Sequence, residues 1–128
     1  QVWLRSALRL LLEHEANVEV VGETGNSRTL PLFVDRLRPD LLFLDWQLPG
    51  LDTNGARQQL LTCVRAIDPH LYIIALTNDD DATRSLLLGA NAVVNKAEPP
   101  ERILTVLRQA ASEKLIKRSQ AATGHLLL

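Results

Sequence analysis

The chain has one cysteine, Cys63, among its 128 residues. A single thiol closes no internal disulfide and builds no multi-thiolate metal site, and it suits a reducing compartment such as the cytosol. Cys63 falls between Leu60 and Ile67 at helical spacing, which predicts a buried, apolar thiol. Net charge is also missing: 14 basic and 15 acidic side chains leave a formal charge of -1, so nothing in the balance draws the domain toward nucleic acid. No apolar run reaches the ~18 residues that cross a bilayer, and no leader-like segment opens the sequence; a membrane role is not expected. His14, His70 and His125 have no second ligand at a metal-like offset, so each reads as a surface or loop residue and zinc is not expected. Repeats and low-complexity tracts are lacking. No helix-turn-helix follows residue 111, so this chain is not expected to bind DNA directly.

What is present is core. Hydrophobic residues make up 46% and charged residues 23%, which excludes intrinsic disorder and fits the length of one domain. The apolar positions alternate between helical and strand periods. Residues 2–14 predict an amphipathic helix, with Leu4, Leu8, Leu11 and Leu12 on one face, and 18–23 predict a strand through Val18, Val20 and Val21. A helix follows over 29–37, where Pro31 is tolerable in the first turn. Leu41 to Leu44 is an unbroken apolar run ending at Asp45, the pattern of a parallel strand buried on both faces. A helix over 56–67 stops at Asp68-Pro69, and a strand from Leu71 to Leu76 ends at Thr77. Asn78 to Asp81 supply helix-starting residues, predicting a short helix that Gly89 closes. Ala92 to Val94 predict a last short strand ending at Asn95-Lys96, and Pro99-Pro100-Glu101 start a terminal helix through Ile103, Leu107 and Ala110 toward Lys117.

Alternating strands and helices with short connections predict an α/β fold, a doubly wound parallel sheet. In such sheets ligands bind outside the carboxyl ends of the strands. Asp45, Thr77 and Lys96 all stand at those ends. Singly, each has an ordinary explanation as a turn cap, a loop residue or a solvated charge. Together they make a phosphoryl-accepting site: a carboxylate nucleophile, with an ammonium and a hydroxyl to stabilise the spread negative charge of the product.

Arg38-Pro39-Asp40-Leu41-Leu42-Phe43-Leu44-Asp45, Leu48-Pro49-Gly50, Ala75-Leu76-Thr77, Gly89-Ala90, Asn95-Lys96 and Pro99-Pro100-Glu101 occur in that order. As a linked set they resemble the receiver domain of two-component response regulators, over about residues 2–111. The Val18-Glu19-Val20-Val21-Gly22 segment is similar to the subfamily whose receivers precede helix-turn-helix output domains. The resemblance implies a flavodoxin-like fold and a cytoplasmic phosphoprotein, a phosphoaspartate-controlled switch in a phosphorelay, with a sensor histidine kinase as phosphoryl donor and an output domain or partner protein as receiver of the signal. It implies Asp45 as phosphoacceptor, Thr77 and Lys96 as the groups contacting the phosphoryl, and Mg²⁺ held by Asp45 and the backbone carbonyl of Gln47. It implies no enzyme beyond self-catalysed phosphorylation and dephosphorylation at Asp45.

The pattern also departs from the family. The first strand and its acidic pair are missing from this chain, which removes the other acidic ligands and predicts weak Mg²⁺ binding. The aromatic switch position on the last strand is Val93, and Ala97 follows Lys96 where other subfamilies carry proline. Two other readings therefore stay open: a receiver-like interaction module that is not phosphorylated, and a small phosphohydrolase with Asp45 as nucleophile. The second needs a general acid near Asp45, and Gln47 is an amide that cannot serve. The expected division is a receiver over 1–117 and a tail over 118–128. In the family's order the missing strand lies between those at 18–23 and 41–45, and an empty slot there would leave buried backbone groups unpaired at ~1–3 kcal/mol each. The tail's Gly124-His125-Leu126-Leu127-Leu128 is the candidate to fill it. Leu86, Leu87 and Leu88 cannot all face one core, so an exposed leucine there predicts a homodimer surface.

Overall fold

β2 (Leu41–Asp45) and β3 (Tyr72–Thr77) pair in parallel at the centre of the molecule, with Leu41 opposite Tyr72 and Asp45 opposite Leu76. Their side chains explain both layers of the core, because strand residues alternate between faces. Leu41, Phe43, Ile74 and Leu76 go to one face; Leu42, Leu44, Ile73 and Ala75 go to the other. The computed structural model describes residues 2–15, 18–78, 86, 88–118 and 124–127.

Within them β4 (Ala92–Asn95) pairs in parallel with β3, and β1 (Val18–Gly22) forms the opposite edge. β5 (Gly124–Leu127), the last strand in the chain, lies between β1 and β2 and is parallel to both. The order is β1-β5-β2-β3-β4. Val18 stands opposite Gly124 and Val20 opposite Leu126, with a register irregularity between Val20 and Gly22. On the other side Leu41 and Leu42 stand opposite Leu126 and Leu127. β5 therefore supplies the backbone groups that β1 and β2, at this separation, cannot supply to each other. His125 belongs to this central strand, not to a loop.

The helices cover both faces. α1 (Val2–Glu13) buries Leu8 and Leu12 against the first face, beside α4 (Pro100–Arg118), which contributes Ile103, Val106, Leu107, Ala110 and Ala111. α2 (Leu30–Leu37) and α3 (Asn54–Ile67) cover the second through Leu30, Val34, Leu60, Leu61 and Val64. Local chemistry sets the helix ends. Pro31 sits in the first turn of α2, and Arg38 closes that helix in the left-handed conformation at φ 48°, its N–H donating to the Val34 carbonyl. Thr53 caps α3 by accepting from the Ala56 N–H at 3.1 Å, which starts the helix two residues earlier than hydrophobic period alone predicts.

The expectation for Cys63 is corrected: its thiol is exposed. The buried stripe of α3 runs through Leu60, Leu61 and Val64, and Cys63 lies beyond its edge, with Gln59 and Thr62 on the solvent side. Helical spacing from Leu60 was satisfied, but the stripe leans the other way. Most of the short helix expected before Gly89 falls outside the described residues; Leu86 is helical, and Gly89 has φ 119° with its N–H donating to the Leu86 carbonyl at 3.0 Å. Of the three leucines there, Leu86 is 47% exposed and Leu88 packs against the second face, while Leu87 is not among the described residues. No described helix is long and apolar enough to cross a membrane.

Candidate functional site

Asp45 ends β2, and the chain leaves the strand under control of its neighbour. The Trp46 N–H donates to the Leu76 carbonyl at 2.9 Å, extending the ladder one residue past Asp45. Across β3 the same device recurs: the Lys96 N–H donates to the Thr77 carbonyl at 2.8 Å, one residue past β4. Both side chains are thereby held at the carboxyl edge of the sheet. They meet there, with Lys96 Nζ 2.6 Å from Asp45 Oδ1, and only 9% and 14% of the two side chains exposed. The Gln47 N–H also donates to Asp45 Oδ1, at 2.8 Å. Among the described residues both contacts fall on the same oxygen, so Oδ1 is the anchored atom of the carboxylate.

The loop after Asp45 is tied down along its length. Trp46 is buried, and the Arg57 guanidinium lies over its ring at 5.5 Å from the centroid. Arg57 donates to the carbonyls of Trp46 and Leu51 and to Asn54 Oδ1. From the other side the buried Ser27 hydroxyl donates to the Pro49 carbonyl at 2.9 Å. Gly50, next in the chain, has φ 94°, and a Cβ there would collide with Ser27 Oγ. The loop carrying Lys96 is closed by an Asn95 side chain that accepts from the Ala97 N–H at 2.8 Å, and by Glu98, whose carboxylate accepts from the Asn95 N–H at 3.0 Å.

An anchored carboxylate paired with a lysine at the carboxyl edge of a doubly wound parallel sheet narrows the family sharply. The response regulator receiver domain family matches residues 1–108. The chain belongs to that family.

Among curated proteins the receiver is 27% identical over 114 residues to the nitrate/nitrite response regulator protein NarL of Escherichia coli (strain K12), covering 88% of this chain and 52% of that protein. It is 30% identical over 112 residues to the Fimbriae Z protein of Salmonella typhimurium, covering 85% of this chain and 51% of that one. The chain thus spans about half the length of the curated relatives it matches. Among solved structures, a two-component response regulator of the LuxR family from Aurantimonas sp. SI85-9A1 superposes with a TM-score of 0.73 at 20% identity, covering 86% of this chain and 78% of that chain.

The structure brings Asp45 and Lys96 together through their side chains. Thr77 joins them through its backbone, and its own side chain is buried at the end of β3. Val93 stands opposite Ala75 on β4 and packs, partly buried, against the core face shared with α2 and α3. Receiver domains typically bind Mg²⁺ at an acidic site. Here the fit is poor: no three His, Cys, Asp or Glu residues cluster to hold a metal among the described residues, and Asp45 Oδ1 is already engaged by an ammonium. Arg57 and Ser27 escaped sequence reasoning. Neither belongs to a spacing pattern, and their roles arise only when the loop folds back onto α3 and onto the segment before α2.

Proposed function

We propose that Asp45 is the phosphoacceptor of a two-component signalling switch, the reading carried by the close Asp45–Lys96 pair at the carboxyl edge. A lysine held against a carboxylate neutralises it while the carboxylate approaches an anionic phosphoryl group. Asp45 Oδ2 attacks the phosphorus, the new O–P bond forms, and the donor's bond to phosphorus breaks, its electron pair leaving with the donor. In the parent system the donor is a phosphohistidine of a sensor histidine kinase. The acyl phosphate then competes with Asp45 Oδ1 for Lys96, Thr77 supplies a hydroxyl, and the loops after β2, β3 and β4 shift toward the new charge. A coupling of about 1–3 kcal/mol is enough to bias such an equilibrium. Val93 occupies the switch position, and an output domain or partner protein reads the change. A homodimer through the surface around Leu86 is a further contact in this reading, and the protein acts in the cytoplasm.

Mg²⁺ would draw on Asp45 and the Gln47 carbonyl, a thin set for an ion that prefers six oxygen ligands; no step above runs through it, and weak binding is expected. In the same reading residues 1–117 are the receiver and 118–128 a tail serving as its central strand. The chain is not an enzyme beyond phosphorylation and dephosphorylation at Asp45. One alternative has support: with Asp45 the one carboxylate at the Lys96 contact among the described residues and valine at position 93, a receiver-like module that signals without phosphorylation.

Incubation with acetyl phosphate and Mg²⁺, followed by intact mass and peptide mapping, separates these. A phosphoryl adduct on Asp45, abolished in Asp45→Asn, supports the switch. No adduct favours the unphosphorylated module, and continuous phosphate release would mean a phosphohydrolase.

A further inference from the structure

We infer that Arg57 is a positioning residue for Asp45, acting through one peptide unit: it holds the carbonyl of the Trp46–Gln47 peptide so that the N–H of that same peptide points at Asp45 Oδ1. The inference rests on Asp45 being the phosphoacceptor.

The geometry has two ends. Arg57 Nη2 donates to the Trp46 carbonyl at 3.1 Å, and the Gln47 N–H donates to Asp45 Oδ1 at 2.8 Å. These two groups belong to one planar trans unit in which C=O and N–H point in opposite directions. Fixing the carbonyl therefore fixes the direction of the N–H. A charged donor on the carbonyl is stronger than a neutral one, and it polarises the amide so that its N–H becomes a better donor.

Arg57 is itself held in one orientation. Its Nε donates to the Leu51 carbonyl and its Nη1 to Asn54 Oδ1, both at 3.0 Å. Its plane lies over the Trp46 ring at 5.5 Å, and that ring is only 2% exposed. The forked, planar guanidinium can satisfy three acceptors on different segments at once; a lysine cannot. Upstream, the Trp46 N–H is bound to the Leu76 carbonyl at 2.9 Å. The residue between Asp45 and the peptide is therefore pinned from β3 and from α3. The consequence at the site is selection between the two carboxylate oxygens. Oδ1 is held by Gln47 and Lys96, and Oδ2 is the atom presented to a phosphoryl donor.

A merely structural role predicts something different. Contacts to Leu51 and Asn54 alone would make Arg57 a brace of the loop and of the start of α3, and its loss would loosen the whole loop evenly. Amide hydrogen exchange followed by NMR distinguishes the two in the full chain. In Arg57→Gln the Gln47 amide is expected to exchange at least tenfold faster. The Leu48 and Leu51 amides, bonded to the Asp45 and Leu48 carbonyls, should stay within about twofold of wild type. The labelling rate at saturating acetyl phosphate should fall at least fivefold, with the half-saturating concentration unchanged. Arg57→Lys keeps the charge but loses the fork, so it should fall between wild type and Arg57→Gln in both measurements; it also decides the question if Arg57→Gln does not fold.

Unchanged Gln47 exchange in a folded variant overturns the inference, as does equal acceleration of all three amides. If the wild-type chain takes no phosphoryl group, the phosphoacceptor reading falls, and the Gln47 exchange still reports whether Arg57 orients the peptide.

Discussion

Lys96 reaches Asp45 across an intervening strand. The two residues close β4 and β2, which are not neighbours, and β3 with Thr77 lies between them. Their 2.6 Å contact is possible because each leaves the sheet one residue above a β3 carbonyl, Leu76 for Trp46 and Thr77 for Lys96. The long lysine stem then spans the remaining distance. With both side chains largely withdrawn from water, removing either partner leaves a poorly solvated charge.

Lys96→Met is accordingly expected to destabilise the fold by about 3 kcal/mol, as removal of one member of a buried pair does. Asp45→Asn should cost less, because its amide oxygen still accepts from Gln47. A double-mutant cycle by urea unfolding should give a coupling energy near 2 kcal/mol, within the ordinary range for contacting residues. A coupling indistinguishable from zero would mean that the pair is solvated and adds nothing.

The central position of β5 makes a clear demand on its backbone. Leu126 stands opposite Val20 on one side and Leu41 on the other. Leu126→Pro removes an N–H from a strand paired on both edges, a place where proline is not tolerated. The expected loss is at least ~3 kcal/mol, seen as a lower urea midpoint and as faster amide exchange in both β1 and β2. If only the last few amides of the chain respond, the strand is dispensable.

Cys63 is exposed on the outer side of α3. A disulfide-exchange reagent should modify it fully in the native protein, as fast as it modifies a short thiol peptide. Cys63→Ser should change stability by no more than about 0.5 kcal/mol, the usual range for surface substitutions. Reaction only on unfolding would restore the buried position that helical spacing predicts.

Glu15 joins the turn after α1 to α4 through Arg108, with contacts of 2.7 and 2.9 Å. The Arg108 hydrogen bond holds the Glu15 carboxyl below its ordinary pKa, against a smaller opposing effect of burial. A lowered folded-state value means stability that is full above the unfolded glutamate pKa of about 4.3 and lost as pH falls through the folded value. Arg108→Gln should therefore flatten the acid limb of the stability–pH curve and leave the neutral region nearly unchanged. Acid titration of both proteins by circular dichroism checks this; identical acid limbs would assign the loss to other carboxylates.

The elements themselves were legible because their signals are local. A four-residue apolar run between Pro39-Asp40 and Asp45 has the length and flanks of a buried strand, and the proline- and glycine-marked breaks set most described helix ends within one or two residues. Asp45 and Lys96 stand out because Asp45 directly follows such a run and Lys96 follows the shorter run Ala92–Val94 one residue on, after Asn95, and parallel strands deliver their carboxyl ends to one edge. Cys63 departs from its expected burial for the complementary reason. Helical period identifies a stripe but not which way it leans, and Leu61 pulls the buried face of α3 away from the thiol.

The sequence alone determined the alternation of strands and helices, the two-faced core and the placement of one acid and one base at strand ends, because these follow from period, punctuation and the direction of a parallel strand. Tertiary structure decided the rest. Which strands are neighbours depends on non-local pairing, so the sequence offers the tail only as a candidate for the slot, and the folded chain sets β5 between β1 and β2. Which oxygen of Asp45 is anchored, and that Arg57 reaches back to the peptide beside it, depend on a loop closing onto a helix. That closure brings together groups whose separation along the chain carries no signal of their contact.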